Sequence, residues 1–240
     1  FNVARFREKA SQDGYFLSHI PDKVILPELA QVREFLPPYA APHPLSVTCP
    51  VSHGPQIKPD QGAVMDAQRA STFLEVPAVI EKAVADYNRI FGRNIPPFIE
   101  KYKMDDAEIA FFIMGAHANT CKKSIDQMRA QGLKAGMVRP RWVRPWPTQQ
   151  IAEAFQNVKA IASVETSTSY GGAMRGGNLV HELRASLYDL EKRPLVTSFM
   201  AGLGGDVILF DDFHYMAKIL NQMIKEKKAL KHVYWIGFEE

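Results

Sequence analysis

The stretch that decides the fold reads Ala107-Glu-Ile-Ala-Phe-Phe-Ile-Met-Gly-Ala-His-Ala-Asn-Thr-Cys-Lys-Lys-Ser-Ile-Asp-Gln-Met-Arg-Ala-Gln-Gly-Leu-Lys-Ala-Gly-Met-Val138. Its opening apolar run, bounded by Asp105–Asp106 and by Gly115, predicts a buried strand over 107–114. His117 to Gln131 predicts a helix, with Cys121, Ile125 and Met128 on one face and Gly132 as its stop. Leu133 to Val138 then reads as a second strand. A strand, a helix and a strand joined by short links form a parallel unit.

The same alternation continues toward the C-terminus. Thr148 is expected to cap a helix running to Phe155. Val158–Val164 reads as a third strand, Gly177–Leu190 as a helix and Leu195–Phe199 as a fourth strand. Asp211–Asp212 opens a last helix, with Phe213, Met216, Ile219, Leu220, Met223 and Ile224 at helical spacing. Lys225, Lys227 and Lys228 near its end match the helix dipole, and Val233–Ile236 reads as an edge strand. The expected class for 104–240 is α/β, a mostly parallel open sheet with helices on both faces.

The first hundred residues are different. They hold 12 of the 16 prolines and only 4 of the 15 glycines. From Leu36 to Asp60 the chain reads as a long irregular segment, the pattern of a linker or of a stretch wrapped on a partner. Gly62 to Arg93 reads as helical, restarted at Pro77 and ended by Gly92. The first residue is Phe1, so the chain is expected to be a fragment with its catalytic residues upstream of Phe1.

Composition narrows the function classes. Apolar residues make up 46% and charged residues 23%, an ordinary globular balance. With 29 Lys and Arg against 26 Asp and Glu, the charge of +3 is too even for a bulk nucleic-acid binder. No apolar run is long enough for a membrane span, and no signal peptide is visible. Cys49 and Cys121 are too few for a disulfide scaffold or for an iron–sulfur cluster held by this chain, and they fit two thiols in a reducing cytoplasm.

Four segments are candidate sites, each with a plainer alternative. Gly202-Leu-Gly-Gly205 can present backbone N–H groups to an anion or serve as a tight turn; it lacks the spacing of a dinucleotide or P-loop motif. Arg175, flanked by Gly171–Gly172 and Gly176–Gly177, follows the third strand, at the edge where open α/β sheets bind ligands. It can hold a phosphate, face another subunit or lie in a flexible loop. Arg139-Pro-Arg141-Trp142-Val-Arg144-Pro-Trp146-Pro147 concentrates the residue types of interface hot spots and is expected at an interface, at a phosphate of a nucleotide-like ligand, or in an internal role. Ser18–His19 places a hydroxyl beside an imidazole without a nucleophile elbow, as a structural pair or as part of a cofactor cleft. The other histidines show no metal-ligand spacing, and no metal site is expected on this chain.

Several segments together resemble one family. Asp13-Gly-Tyr-Phe-Leu-Ser-His19, Phe35-Leu-Pro-Pro-Tyr39, Phe91-Gly-Arg93, Tyr102 with Asp105-Asp-Ala107, Met114–Gly115, Gly132-Leu-Lys-Ala-Gly136, Arg144-Pro-Trp-Pro147 and Gly202-Leu-Gly-Gly205 occur in the order seen in the α subunit of 2-oxoacid:ferredoxin oxidoreductases of the pyruvate type. The resemblance covers about residues 10 to 210. It implies oxidative decarboxylation of a 2-oxo acid to an acyl-CoA, with thiamine diphosphate and Mg²⁺ as cofactors shared with a partner subunit. Electrons would pass to [4Fe-4S] clusters on other subunits and then to ferredoxin or NAD. The implied partners are a β (diphosphate-binding) subunit, γ and iron–sulfur subunits, the 2-oxo acid and coenzyme A, with no nucleic acid. The implied domains are the tail of a pyrimidine-binding thiamine-enzyme domain (1–35), a Pro-rich linker with helices (36–103) and a transketolase C-terminal-like domain (104–240).

Two departures stand out. Glu165–Thr166 replaces the usual Asp-Arg after the third strand, and Asp206 follows Gly205 without the usual basic residue. Pyruvate, phenylglyoxylate and branched or dicarboxylic 2-oxo acids are therefore all admissible. Another thiamine-enzyme subunit (dehydrogenase β-type or synthase) and a non-catalytic interaction module are the alternative readings of the same fold.

Overall fold

The computed structural model describes residues 14, 17–41, 43–54, 56–173 and 176–238. They divide into two compact units, one drawn from Asp22–Pro97 and the other from Phe98–Glu240 together with the described residues before Asp22.

In the first unit, α1 (Leu29–Phe35), α2 (Pro59–Phe73) and α3 (Val76–Phe91) are joined by extended chain. Pro77 lies in the first turn of α3, where its missing N–H costs nothing, and Gly92 ends that helix in the left-handed region at φ 61°. The helical stretch expected from Gly62 to Arg93 starts earlier, at Pro59, and breaks at Leu74–Glu75. Helix α1, not expected, is held to α3 by Phe35, whose ring meets Tyr87 and Phe91 edge-on at 5.5 and 5.7 Å. Gln31 Nε2 adds a hydrogen bond to the Ile90 carbonyl at 2.7 Å. The described residues between 36 and 58 form no helix or strand, in keeping with the prolines, and Leu36, Tyr39, Leu45 and Val47 are exposed.

The second unit is one six-stranded sheet. Its strands are β1 (Ile99–Tyr102), β2 (Ile109–Ile113), β3 (Ala135–Pro140), β4 (Ala160–Glu165), β5 (Leu195–Met200) and β6 (Val233–Trp235). Their spatial order is β1-β3-β2-β4-β5-β6. All neighbours are parallel except β1, which runs antiparallel to β3 with Ile99 opposite Pro140. The helices are α4 (Ala118–Ala130), α5 (Thr148–Phe155), α6 (Asn178–Leu187) and α7 (Phe210–Glu226). The α/β class and the mostly parallel sheet expected from the alternation are present.

Every residue of β2 is buried, because α4 and α7 cover one face of the sheet and α5 and α6 the other. Alternate residues serve the two layers. Phe111 meets Phe213 of α7 edge-on at 5.5 Å, and Phe112 meets Phe155 of α5 at 5.9 Å. The β5–α7–β6 connection passes over the α4 face. The β3–α5–β4 and β4–α6–β5 connections step in the same direction but use the opposite face. The last crossover is therefore left-handed, against the general rule.

Two details differ from expectation. Strand β1, outside the elements expected, pairs its four residues antiparallel with β3, so the sheet starts before residue 104. Thr148 is the first residue of α5 and Pro147 occupies the cap position, so no side chain caps that helix.

Phe213 is fully buried against Phe111. Phe213→Ala is expected to lower the unfolding free energy by about 3–5 kcal/mol, measured by denaturant titration. A loss below about 1 kcal/mol contradicts this packing.

Candidate functional site

The chain leaving β2 turns to β3 on one side, and the chain leaving β4 turns to β5 on the other. The strand order therefore reverses between β2 and β4, and the crevice outside their C-terminal ends is the ligand position of an open α/β sheet. Two segments flank it, the turn 114–117 entering α4 and the loop 166–177 entering α6. His117 lies in the first of these, only 7% exposed, and its carbonyl accepts the Cys121 N–H at 2.9 Å.

Glu165 ends β4 and is 4% exposed. Its carboxylate accepts the backbone N–H of Leu179 at 2.7 Å and of Val180 at 3.0 Å, and the Ser163 hydroxyl at 3.1 Å. It thus satisfies two donors of the first turn of α6, from a strand rather than from the adjoining loop. The approach is so close that a Cβ on Gly177 would sit 2.0 Å from Glu165 Oε2, which requires glycine there. Burial pushes the Glu165 carboxyl up from its ordinary value, opposed by the Leu179 and Val180 N–H groups, Ser163 and the nearby His181. Because this carboxylate already sits on the α6 N-terminus, that terminus is not an open phosphate site.

The layer beneath α6 is polar. Ser198 of β5 lies opposite Ser163 of β4. Ser198 Oγ, Thr168 Oγ1 and His181 Nε2 are buried without a hydrogen-bond partner among the described residues.

The Arg/Trp segment runs from the end of β3 into α5 and is turned partly inward. Arg139 lies 3.6 Å from Glu100 of β1. The Arg141 N–H donates to the Phe98 carbonyl at 2.9 Å, and Trp142 is half-buried. Arg144 donates to Glu182 of α6 at 2.6 Å. Trp146 packs on Phe112 at 6.1 Å, and its Nε1–H donates to Ser186 Oγ at 2.8 Å. Trp146 therefore serves the packing of its own unit, while the Arg144 side chain remains 61% exposed.

Gly202, Gly204 and Gly205 all have positive φ, at 67°, 68° and 90°. A side chain on Gly204 or Gly205 would meet nothing within 4 Å, so the loop between β5 and α7 presents bare backbone to solvent. Ser18 and His19 do meet, with Oγ 2.7 Å from Nδ1, and the Ser18 hydroxyl donates to the Gly14 carbonyl. Both are exposed, in a turn rather than in a cleft. Arg175 lies outside the described residues.

The tertiary structure thus gathers the Arg/Trp segment, the described residues of the loop after β4 and the Gly202–Gly205 loop at one edge of the sheet. It adds His117 and Glu165, which had not been singled out as site residues. A carboxylate directly after the apolar run 158–164 was the available signal for Glu165.

The metal and cluster chemistry implied for the family does not fit the side chains described. No three of their His, Cys, Asp and Glu residues are placed to hold a metal ion. Cys49 is exposed and Cys121 is fully buried with its thiol pushed well up by desolvation, which keeps it from acting as a thiolate. Among the described residues, no helix is long and apolar enough to cross a membrane.

Residues 107–213 match the pyruvate:ferredoxin oxidoreductase core domain II. The chain is 31% identical over 95% of its length to pyruvate synthase subunit PorA of Pyrococcus abyssi, covering 57% of that protein. It is 29% identical over 93% of its length to the ketoisovalerate oxidoreductase subunit VorA of the same organism, covering 56%. The chain thus spans a little over half the length of these relatives. A 2-oxoglutarate:ferredoxin oxidoreductase from Magnetococcus marinus aligns over 71% of this chain and 24% of that one, with TM-score 0.46 and 15% identity, too distant to carry an argument.

Two outcomes follow from the Glu165 geometry. Gly177→Ala is expected to cost about 2–4 kcal/mol in denaturant unfolding, because the methyl group and the carboxylate cannot both stay. A carboxyl raised by folding binds its proton more tightly in the native state. Its contribution to stability is therefore full below the unfolded value and is lost as pH rises through the native value. Unfolding curves across pH 4 to 8 should show this fall in the wild type, and Glu165→Gln should remove it.

Proposed function

Because the chain is related to the α subunits of the 2-oxoacid:ferredoxin oxidoreductases and carries their core domain II at residues 107–213, we propose that it is a subunit of such a complex. The complex oxidatively decarboxylates a 2-oxo acid to its acyl-CoA and passes the electrons to iron–sulfur clusters on partner subunits. The single observation behind this reading is the match over nearly the whole chain to two oxidoreductase subunits at once. Near-equal identity to a pyruvate and a ketoisovalerate subunit, 31% and 29%, supports the 2-oxo acid class rather than one member of it. Phenylglyoxylate and other 2-oxo acids stay within the proposal.

In this reading thiamine diphosphate supplies the carbanion chemistry when bound, with its ligands outside the residues described. The work of this chain is assembly and orientation. Residues up to 35 are the tail of a preceding pyrimidine-binding domain. The proline-rich segment 36–58, with its exposed Leu45 and Val47, lies on a β, γ or iron–sulfur subunit. The second unit is transketolase C-terminal-like. To Arg141, Arg144, Arg175 and the Gly202–Gly205 backbone we assign the role of meeting coenzyme A phosphates or a neighbouring subunit. Ser18 and His19 lie near the cofactor cleft in the assembled complex. The compartment is the cytoplasm, in keeping with two free thiols.

Native mass spectrometry of the complex purified from its source, with iron and thiamine assays on the same sample, tests this. A multi-subunit assembly containing both and forming acyl-CoA supports it; a lone 27.0 kDa chain with neither overturns it. The double variant Arg141→Ala, Arg144→Ala should weaken subunit retention or raise KM for coenzyme A severalfold. Its thermal stability should change little, since the Arg144–Glu182 pair lies at the surface. Unchanged assembly and kinetics contradict the role given to the two arginines.

A further inference from the structure

At the end of the sheet opposite the crevice, the fold gathers positive charge that its own carboxylates do not neutralise. Strands β5 and β6 are parallel neighbours, with Ser198 opposite Val233, so the segments that feed them lie side by side. The Thr197 hydroxyl ties the two together by donating to the Lys231 carbonyl at 2.8 Å. These segments bring Lys192, Arg193, Lys225, Lys227, Lys228 and Lys231 to one corner, all exposed, against Asp189, Glu191 and Glu226. Six basic against three acidic groups leaves an excess of three, as large as the net charge of the whole chain, +3.

Several basic side chains elsewhere in the same unit lie on carboxylates, among them Lys103 on Asp126, Arg129 on Asp106, Arg144 on Glu182 and Lys159 on Glu108. At this corner Lys228 has Glu226 at 3.7 Å, while Lys192, Lys225 and Lys227 have no carboxylate in ion-pair range among the described residues. The dipole of α7 accounts for Lys225 in its last turn, but it falls off within that turn and leaves the others unexplained.

We propose that this corner, independently of the function read above, is a docking surface for an acidic protein partner. Lysines on flexible stems suit such a surface: they steer an oppositely charged protein and tolerate variation in its carboxylate positions. A nucleic acid is disfavoured, because the corner offers no row of open rings for bases. Tyr188 lies under the Arg193 guanidinium at 5.1 Å, and Tyr234 is buried. A membrane surface is disfavoured because no large apolar side chain of 225–232 is exposed, Leu230 being packed against the core.

The test uses the full chain and three labelled probes: poly-L-glutamate, single-stranded oligo-dT and phosphatidylserine vesicles. Poly-L-glutamate should bind most tightly. Its affinity should fall roughly tenfold in Lys225→Ser, Lys227→Ser, Lys228→Ser and again on raising salt from about 0.05 to 0.3 M. Lys101→Ser, Lys123→Ser, exposed lysines outside the corner, should leave it unchanged. If the triple variant does not fold, Lys192→Gln, Arg193→Gln should give the same direction of change. Tighter binding of oligo-dT or of vesicles overturns the proposal, as does equal loss in the control variant or no binding at all.

Discussion

The structure depends on covering β2 from both sides. A parallel strand whose five residues are all buried needs helices above and below it, and the chain supplies α4 and α7 for one layer and α5 and α6 for the other. Phe111 and Phe112, adjacent in sequence, point to opposite layers and each finds an aromatic partner there. Both layers are therefore referenced to one strand. The reversal of strand order beside it determines where the crevice lies.

Glu165 extends this logic from packing to electrostatics. It is the one carboxylate among the buried residues described, and it is tolerated because the α6 N-terminus provides two N–H donors and Ser163 a third. The same contact orients the helix that follows the loop at the ligand edge and excludes any residue but glycine at 177. The alternative occupant of that helix terminus, a ligand phosphate, is displaced by the protein's own carboxylate.

The two ends of the sheet differ in character. At the C-terminal edge the turns are glycine-rich and the arginines described are largely engaged with carboxylates or backbone, as in Arg139 with Glu100 and Arg144 with Glu182. At the N-terminal edge, beside β5 and β6, Lys192, Lys225 and Lys227 have no carboxylate in ion-pair range among the described residues. The first unit has a third character: apart from Val76 and Ile80 its helices bury little, and its connecting segment exposes large apolar side chains. Such a surface is stable in water when another surface covers it.

Alternation of apolar runs with helical periodicity was enough to read the α/β class, four of the strands in 107–199 and the last helix, because strand and helix periods are written directly in neighbouring residues. The glycine stops and the first-turn proline of α3 were equally local. Strand β1 was not legible: four residues, Ile-Glu-Lys-Tyr, carry no clear period, and they become a strand only because β3 offers an antiparallel edge. The left-handed final crossover, the inward turn of Trp146 onto Phe112 and Ser186, and the Glu165 cap share that character. Each joins residues distant in sequence, and distance across a fold is set by how layers stack rather than by any local pattern. The sequence by itself determined the layers and which segments build them. Only the tertiary structure decided which polar residues meet at their edges, because that depends on strand order, which hydrophobic periodicity does not encode.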